Sequence, residues 1–158
     1  MDARFLSDAQ VDRDGDSNST VIGDYDVPDV RLPGSGGACE IAGNVERTTI
    51  TTSYQRQRFH EKTDFATSPG FIDSEGAREK HGLRAEGFTT VITDMAVMGF
   101  QNEEMVVESI HPGVGREDVR EATGWEIKFA DDVGETEPPT DDELRLILKE
   151  LDPDGVYL

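Results

Sequence analysis

The stretch Arg31-Leu-Pro-Gly-Ser-Gly-Gly-Ala38 decides how this chain is read. Gly34, Gly36 and Gly37 put three residues without side chains into four positions. Such a backbone can come close to another group, because no Cβ stands in the way. Its amides can form a concave donor site for an oxyanion or a phosphate. An extended segment, Thr20-Val-Ile-Gly-Asp-Tyr25, precedes the loop, and a helix start at Ala38-Cys-Glu-Ile-Ala42 follows it. Strand, glycine loop, helix is the order in which open α/β sheets place ligands. By itself the loop fits a tight strand–helix connection as well as it fits a donor site.

Outward from the loop, strands and helices alternate. Asp12-Arg-Asp-Gly-Asp-Ser-Asn18 is a turn. It resembles a calcium loop only in its alternating acids, with no Glu at the twelfth ligand position. Thr20 to Ile22 reads as a short strand, Asp24 to Pro33 as a loop, and Arg47 to Thr52 as a β-branched strand. Gln55 to Lys62 reads as a polar excursion or short helix, Thr63 to Thr67 as a buried strand, and Ser74 to Glu86 as a surface connection. Phe88 to Phe100 and Met105 to Ile110 predict strands, the latter joined through Gln101-Asn-Glu-Glu104 in a hairpin. Arg116 to Thr123 predicts a helix stopped by Gly124. Trp125, Ile127 and Phe129 alternate inward. Thr140 and Glu143 predict a capping box for a last helix with an apolar stripe of Leu144, Ile147, Leu148 and Leu151. Together these give an α/β fold with a mixed sheet.

The 158 residues suit one domain-sized core. Net charge is −19, from 34 Asp plus Glu against 15 Lys plus Arg, and the acids are spread along the chain. High charge with 35% apolar residues fits either disorder or a protein built for high salt. Recurring strand-like runs and glycine turns favour the second. The charge argues against nucleic acid and against anionic membrane surfaces. No apolar run is long enough for a membrane span. Met1-Asp-Ala-Arg4 does not read as a secretory signal, and the single Cys39 suits a reducing cytoplasm. The three histidines, His60, His81 and His111, are too far apart for metal-ligand spacing, so no metal is expected.

A resemblance runs through nearly the whole chain in order. It is carried by Ala9-Gln-Val-Asp12, Asn18 to Tyr25, Val30 to Ala38, Asp64 to Phe71, Val91 to Val97, His111-Pro-Gly-Val114, Thr123-Gly-Trp125, Glu135 to Thr140 and Leu151 to Leu158. These segments resemble the B subunit of class I CoA-transferases of the glutaconate type. The resemblance implies a three-layer CoA-transferase-like α/β domain with a mixed, mainly parallel sheet over residues 1–158, the C-terminal part of a B subunit. It implies transfer of CoA between an acyl-CoA and a carboxylic acid, with an A subunit completing a hetero-oligomer. Coenzyme A is then a substrate thioester, and no bound cofactor is expected. In that family a glutamate attacks the thioester, giving a mixed anhydride and then a glutamyl-CoA thioester. That glutamate belongs to a portion ahead of the Ala-Gln-Val-Asp segment, and only Met1 to Asp8 precede Ala9 here. Ser7 and Asp8 replace the family's usual glycine pair.

The resemblance places the glycine loop, Gly34, Ser35, Gly36, Gly37 and Ala38, at the oxyanion and CoA site. The amides of Gly36, Gly37 and Ala38 are the expected donors. Gln10 and Asp12 resemble active-site support, with a solvated strand end as the alternative. Glu40 is a possible support whose reading as nucleophile is disfavoured, and Cys39 reads as packing. Arg56, Arg58 and Lys62 either meet CoA phosphates or form a solvated face, which fits better. Two other functions stay open: a ring-opening hydrolase of CoA-linked cyclic ketones on the same fold, and a non-catalytic remnant. The isolated chain is expected to be marginal at low salt.

Overall fold

The computed structural model describes residues 3–71, 77–83 and 87–156. The strands are β1 (Ala3–Leu6), β2 (Gln10–Asp12), β3 (Ser17–Asn18), β4 (Val21–Gly23), β5 (Pro28–Arg31), β6 (Arg47–Thr51), β7 (Phe59–His60), β8 (Phe88–Ile92), β9 (Ala96–Gln101), β10 (Glu104–Ile110) and β11 (Lys128–Glu135). The helices are α1 (Ala38–Asn44), α2 (Ala77–Lys80), α3 (Arg116–Glu121) and α4 (Asp141–Arg145), the last running on into a π-helical turn, Leu146–Leu151.

A six-stranded sheet runs in the order β1-β6-β8-β9-β10-β11. β1/β6, β6/β8 and β10/β11 pair parallel, whereas β8/β9 and β9/β10 pair antiparallel. The sheet is therefore mixed and mainly parallel, as expected. β3, β2 and β7 form a second small sheet, and β4/β5 a two-stranded ribbon. β10 is buried along Met105, Val106 and Val107, as suits a strand covered on both faces. Ile50, Phe88, Val91 and Met98 meet it in a core that extends to Val11 and Phe59 beneath the small sheet.

Several expectations are corrected. The supposed loop Asp24 to Pro33 contains β5, antiparallel to β4, and Pro28 is tolerated because it opens an edge strand. Thr63 to Thr67 is not a strand. Its amides are drawn away by side chains and by β3: Thr63 N–H to Asp12 Oδ2 (3.1 Å), Asp64 N–H to Gln10 Oε1 (3.1 Å) and Thr67 N–H to Ser17 O (2.9 Å). Gln55 to Lys62 is a turn leading into β7, not a helix. The connection from Ser74 to Glu86 lies partly outside the described residues. Within it α2 turns Arg78 to the interior, at 8% exposure, while residues 79–82 are exposed as a surface connection requires. In Trp125 to Phe129, Ile127 is buried as expected, but the strand begins only at Lys128. Tyr157 and Leu158 of the resembling C-terminal segment fall outside the described residues.

Thr140 does cap α4: Glu143 N–H donates to Thr140 Oγ1 (3.3 Å) and Thr140 N–H to Glu143 Oε2 (2.8 Å). The helix's apolar stripe nevertheless lies at the surface, with Leu144, Leu148 and Leu151 exposed at 39%, 47% and 69%.

The β9–β10 hairpin turns on Asn102 and Glu103, with φ of 52° and 65°. Positive φ at both positions matches the twist of the strands, and the second of them normally falls to glycine. A glutamate held there costs about 1 kcal/mol. Glu103→Gly is therefore expected to raise the unfolding free energy by roughly 0.5 kcal/mol, after the entropy of the freer unfolded chain is subtracted. A urea titration checks this, and a lower midpoint would contradict it.

Candidate functional site

The glycine loop folds as a 3₁₀ turn, Gly34–Gly36, leading into α1. It is laid against residues 19–20: Leu32 N–H donates to Thr20 O and Gly34 N–H to Ser19 O, both at 2.8 Å. Gly34 must be glycine for a steric reason. A Cβ there would sit 2.1 Å from Ser19 Oγ and 2.5 Å from Ser19 O. Gly36 and Gly37 differ, because a Cβ at either meets nothing within 4 Å. The turn thus closes on the protein at one end and borders open space at the other.

Hydroxyls pin it. Ser35 Oγ lies 2.5 Å from Thr20 Oγ1, which lies 2.6 Å from Thr67 Oγ1. Thr67 Oγ1 also accepts from Ser19 N–H at 2.9 Å. Thr20 and Thr67 are buried, so this relay is shielded from competing water. Gly37 N–H reaches Gly34 O at 3.4 Å, and α1 begins at Ala38 with no side chain capping its N-terminus. Ser35, Gly36, Cys39 and Glu40 are exposed. Cys39 is therefore not a packing residue. Glu40 Oε2 accepts from Asn44 Nδ2 at 3.4 Å, one helical turn on.

Gln10 and Asp12 are not solvated strand ends, being 3% and 2% exposed. Gln10 Oε1 accepts from Asn18 Nδ2 (2.7 Å), and Gln10 Nε2 donates to Asp64 Oδ2 (2.8 Å). Asp64 Oδ2 also takes the Gly23 amide at 3.0 Å. That amide, then Gln10 and the His60 charge, holds the Asp64 carboxyl below its usual range despite some desolvation. Gln10 thereby ties β2, β3 and β4 to the 63–67 segment that carries Thr67. Asp12 accepts Asp14 and Asp16 amides on Oδ1 (3.2 and 2.9 Å) and the Thr63 amide and hydroxyl on Oδ2 (both 3.1 Å). Asp16 Oδ1 takes the Gly70 amide at 2.7 Å. Acids of the calcium-like turn thus serve backbone amides.

Burial pushes the Asp12 carboxyl up to about 6, with the Asp16 charge adding to it and the Thr63 and Asp16 bonds opposing it. The folded state therefore holds this proton more tightly than the unfolded chain, where Asp titrates near 3.9. The resulting stabilisation is complete below about pH 4 and lost as pH rises through about 6. Its size is at most about 3 kcal/mol. Denaturant midpoints between pH 4 and 7 are expected to lose this falling contribution in Asp12→Asn; an unchanged slope would contradict the assignment.

The basic stretch spends part of its donors on the protein itself. Arg56 Nη1 donates to the Glu121 and Thr123 carbonyls (3.2 and 3.1 Å), and Arg58 Nη1 to Asp8 O and Thr52 Oγ1 (3.1 and 3.3 Å). His60 Nε2 lies 2.9 Å from Gln57 O. Lys62 is exposed. His111 bridges Thr93 O (2.8 Å) and Thr136 Oγ1 (2.9 Å) at the start of a turn closed by Val114 N–H on His111 O (3.1 Å). Sequence reading missed the Ser35–Thr20–Thr67 relay, because isolated hydroxyl residues far apart in the chain carry no pattern.

The family model described as Coenzyme A transferase matches residues 1–122, which include this whole site. The chain belongs to the coenzyme A transferase family. It is 46% identical over 149 residues to the B subunit of the 3-oxoadipate CoA-transferase of Pseudomonas knackmussii, covering 93% of this chain and 57% of that one. It is 38% identical over 157 residues to the B subunit of the glutaconate CoA-transferase of Acidaminococcus fermentans, covering 98% and 58%. The crystal structure of that glutaconate enzyme superposes with a TM-score of 0.90 at 37% identity, over 98% of this chain and 60% of that one. The cholesterol ring-cleaving hydrolase IpdB subunit of Rhodococcus jostii is 29% identical over 148 residues, covering 91% and 57%. This coenzyme A transferase chain thus spans less than two thirds of the length of its relatives. Among the described residues no helix is long and apolar enough to cross a membrane.

Proposed function

We propose that this chain forms part of the B subunit of a CoA-transferase that moves CoA between an acyl-CoA and a carboxylic acid. The observation that carries the reading is the glycine turn, anchored at Gly34 and bordering open space at Gly36 and Gly37. A thioester carbonyl that accumulates negative charge on attack needs donors held in place beforehand, each worth roughly 3 kcal/mol in comparable sites. The amides of Gly36 and Ala38 are those donors; the Gly37 amide, expected as a third, is turned to Gly34 O within the turn that Gly34 and Ser35 hold. Gln10 and Asp12 act as support from beneath. Glu40, bonded within its own helix, acts as neither nucleophile nor base, and the attacking carboxylate is assigned to no residue of this chain.

Both CoA-transferase relatives are named for dicarboxylic acids, 3-oxoadipate and glutaconate. A short dicarboxylic acid and its CoA thioester are the substrate class proposed here. A CoA-transferase A subunit completes the site. The net charge of −19 fits a cytoplasm of high salt, where screening removes self-repulsion.

Native mass spectrometry of protein purified from its source in high salt tests the reading. A complex with a second α/β chain that exchanges CoA between acyl-CoA and a dicarboxylate is expected. A lone chain without transfer activity would favour the remnant, and ring-opening hydrolysis without transfer would favour the hydrolase.

A further inference from the structure

Beneath the glycine turn lies a group of oxygen atoms that the site described above does not use. Asp8 Oδ2, Ser17 Oγ, Ser19 Oγ and Ser68 Oγ are all buried without a hydrogen-bond partner. Asp8 is 3% exposed, and Ser17 and Ser68 are fully buried. The backbone brings them together. Ser17 and Ser68 form an antiparallel bridge, with amide-to-carbonyl distances of 2.9 and 3.0 Å in the two directions, which turns both side chains to one side. Burial pushes the Asp8 pKa up; the Ser19 and Ser17 hydroxyls lie close enough to oppose this in part, though neither meets hydrogen-bond geometry with Oδ2. The roof is the turn itself, since a Cβ on Gly34 would fall 2.1 Å from Ser19 Oγ. Val11 pairs with Ser17 on one side and with buried Phe59 on the other, so the apolar core adjoins the group.

We propose that Asp8, Ser17, Ser19 and Ser68 form a binding site for a monovalent alkali cation that braces the platform of the glycine turn. Two neutral hydroxyls offset only part of the cost of burying a carboxylate, which calls for a counter-charge. The guanidinium close by, Arg58, gives its Nη1 to the Asp8 carbonyl oxygen and Thr52 Oγ1, and its Nε is buried without a hydrogen bond to the carboxylate. Hard oxygen donors suit alkali and alkaline-earth ions, and a single carboxylate among neutral hydroxyls balances one positive charge. This oxygen-only set differs from the histidine clusters that the sequence excludes. The ion joins residue 8, residues 17–19 and residue 68 in one place. It thereby holds Ser19, whose carbonyl accepts the Gly34 amide. The site does not depend on the catalytic reading.

A chain of net charge −19 responds to any salt, so the test holds ionic strength constant. Thermal unfolding of the full chain is followed as choline chloride is replaced by sodium or potassium chloride. A saturable rise in Tm is expected with at least one of the two ions. It should reach about 3–5 °C at ten times that ion's Kd. The rise is expected to vanish in Asp8→Asn and to need several-fold more cation in Ser68→Ala. Sodium-23 relaxation on the unaltered protein is expected to show saturable broadening or, for a potassium-selective site, its displacement by potassium. That readout stands even where a variant fails to fold. Equal Tm in all three salts with no saturable relaxation would overturn the site and leave Asp8 neutralised by a proton. A cation-specific rise that survives in Asp8→Asn would overturn it too.

Discussion

Gly36→Val in the assembled enzyme is expected to lower acyl transfer on the order of 100-fold while leaving the unfolding midpoint unchanged. The position borders open space, where an added Cβ meets no heavy atom within 4 Å. On the proposed reading it occupies the side of the turn from which a thioester approaches and displaces the carbonyl from the amides. Gly34→Ala, two residues away, is expected to do the reverse in kind. Its Cβ overlaps Ser19 Oγ, Cβ and O at 2.1, 2.4 and 2.5 Å, so the turn must leave residues 19–20. That overpacking costs about 2–3 kcal/mol. Activity is lost there through the fold, and the unfolding midpoint falls with it. Measuring kcat/KM and the denaturant midpoint on both variants separates the two effects. A fully active Gly36→Val would remove the turn from the chemistry.

Arg78→Met is expected to destabilise the protein by about 3 kcal/mol. The guanidinium donates to Pro69 O and Gly70 O, both at 2.5 Å, and to Ala42 O at 3.2 Å, from a buried position. Methionine fills much of the volume but donates to none of those carbonyls. The turn it braces is tight: a Cβ on Gly70 would fall 2.2 Å from the Gly15 carbonyl carbon. Thr67 and Ser68 lead directly into this turn, so a loosened Gly70 also disturbs the relay that holds Ser35. Arg78→Lys keeps the charge but loses the planar fork, and is expected to recover only part of the loss. Urea unfolding at high salt measures both; a loss under about 1 kcal/mol in Arg78→Met would show that the carbonyls find other donors.

The sequence by itself determined much of this protein. β-branched runs at Arg47–Thr51 and Phe88–Ile92 became strands, because strand propensity is written locally. The Thr140–Glu143 capping box and the Asn102–Glu103 hairpin are contacts within a few residues, and both were legible. The glycine turn was legible as a place, and the order of motifs pointed to the coenzyme A transferase family. The tertiary structure alone decided what those motifs touch. Gln10 and Asp12 became buried struts only because a segment some fifty residues away brings Thr63 and Asp64 to them. That same demand kept 63–67 from forming a strand, since its amides were already engaged. Arg56 and Arg58 fitted a solvated face in the sequence, whereas the fold gives one nitrogen of each guanidinium to backbone carbonyls. Gly34 and Gly36 are alike in sequence, yet one is wedged against Ser19 and the other faces open space. Local patterns record conformation and amphipathicity. Which side chain meets which depends on contacts between distant segments, where no spacing rule operates.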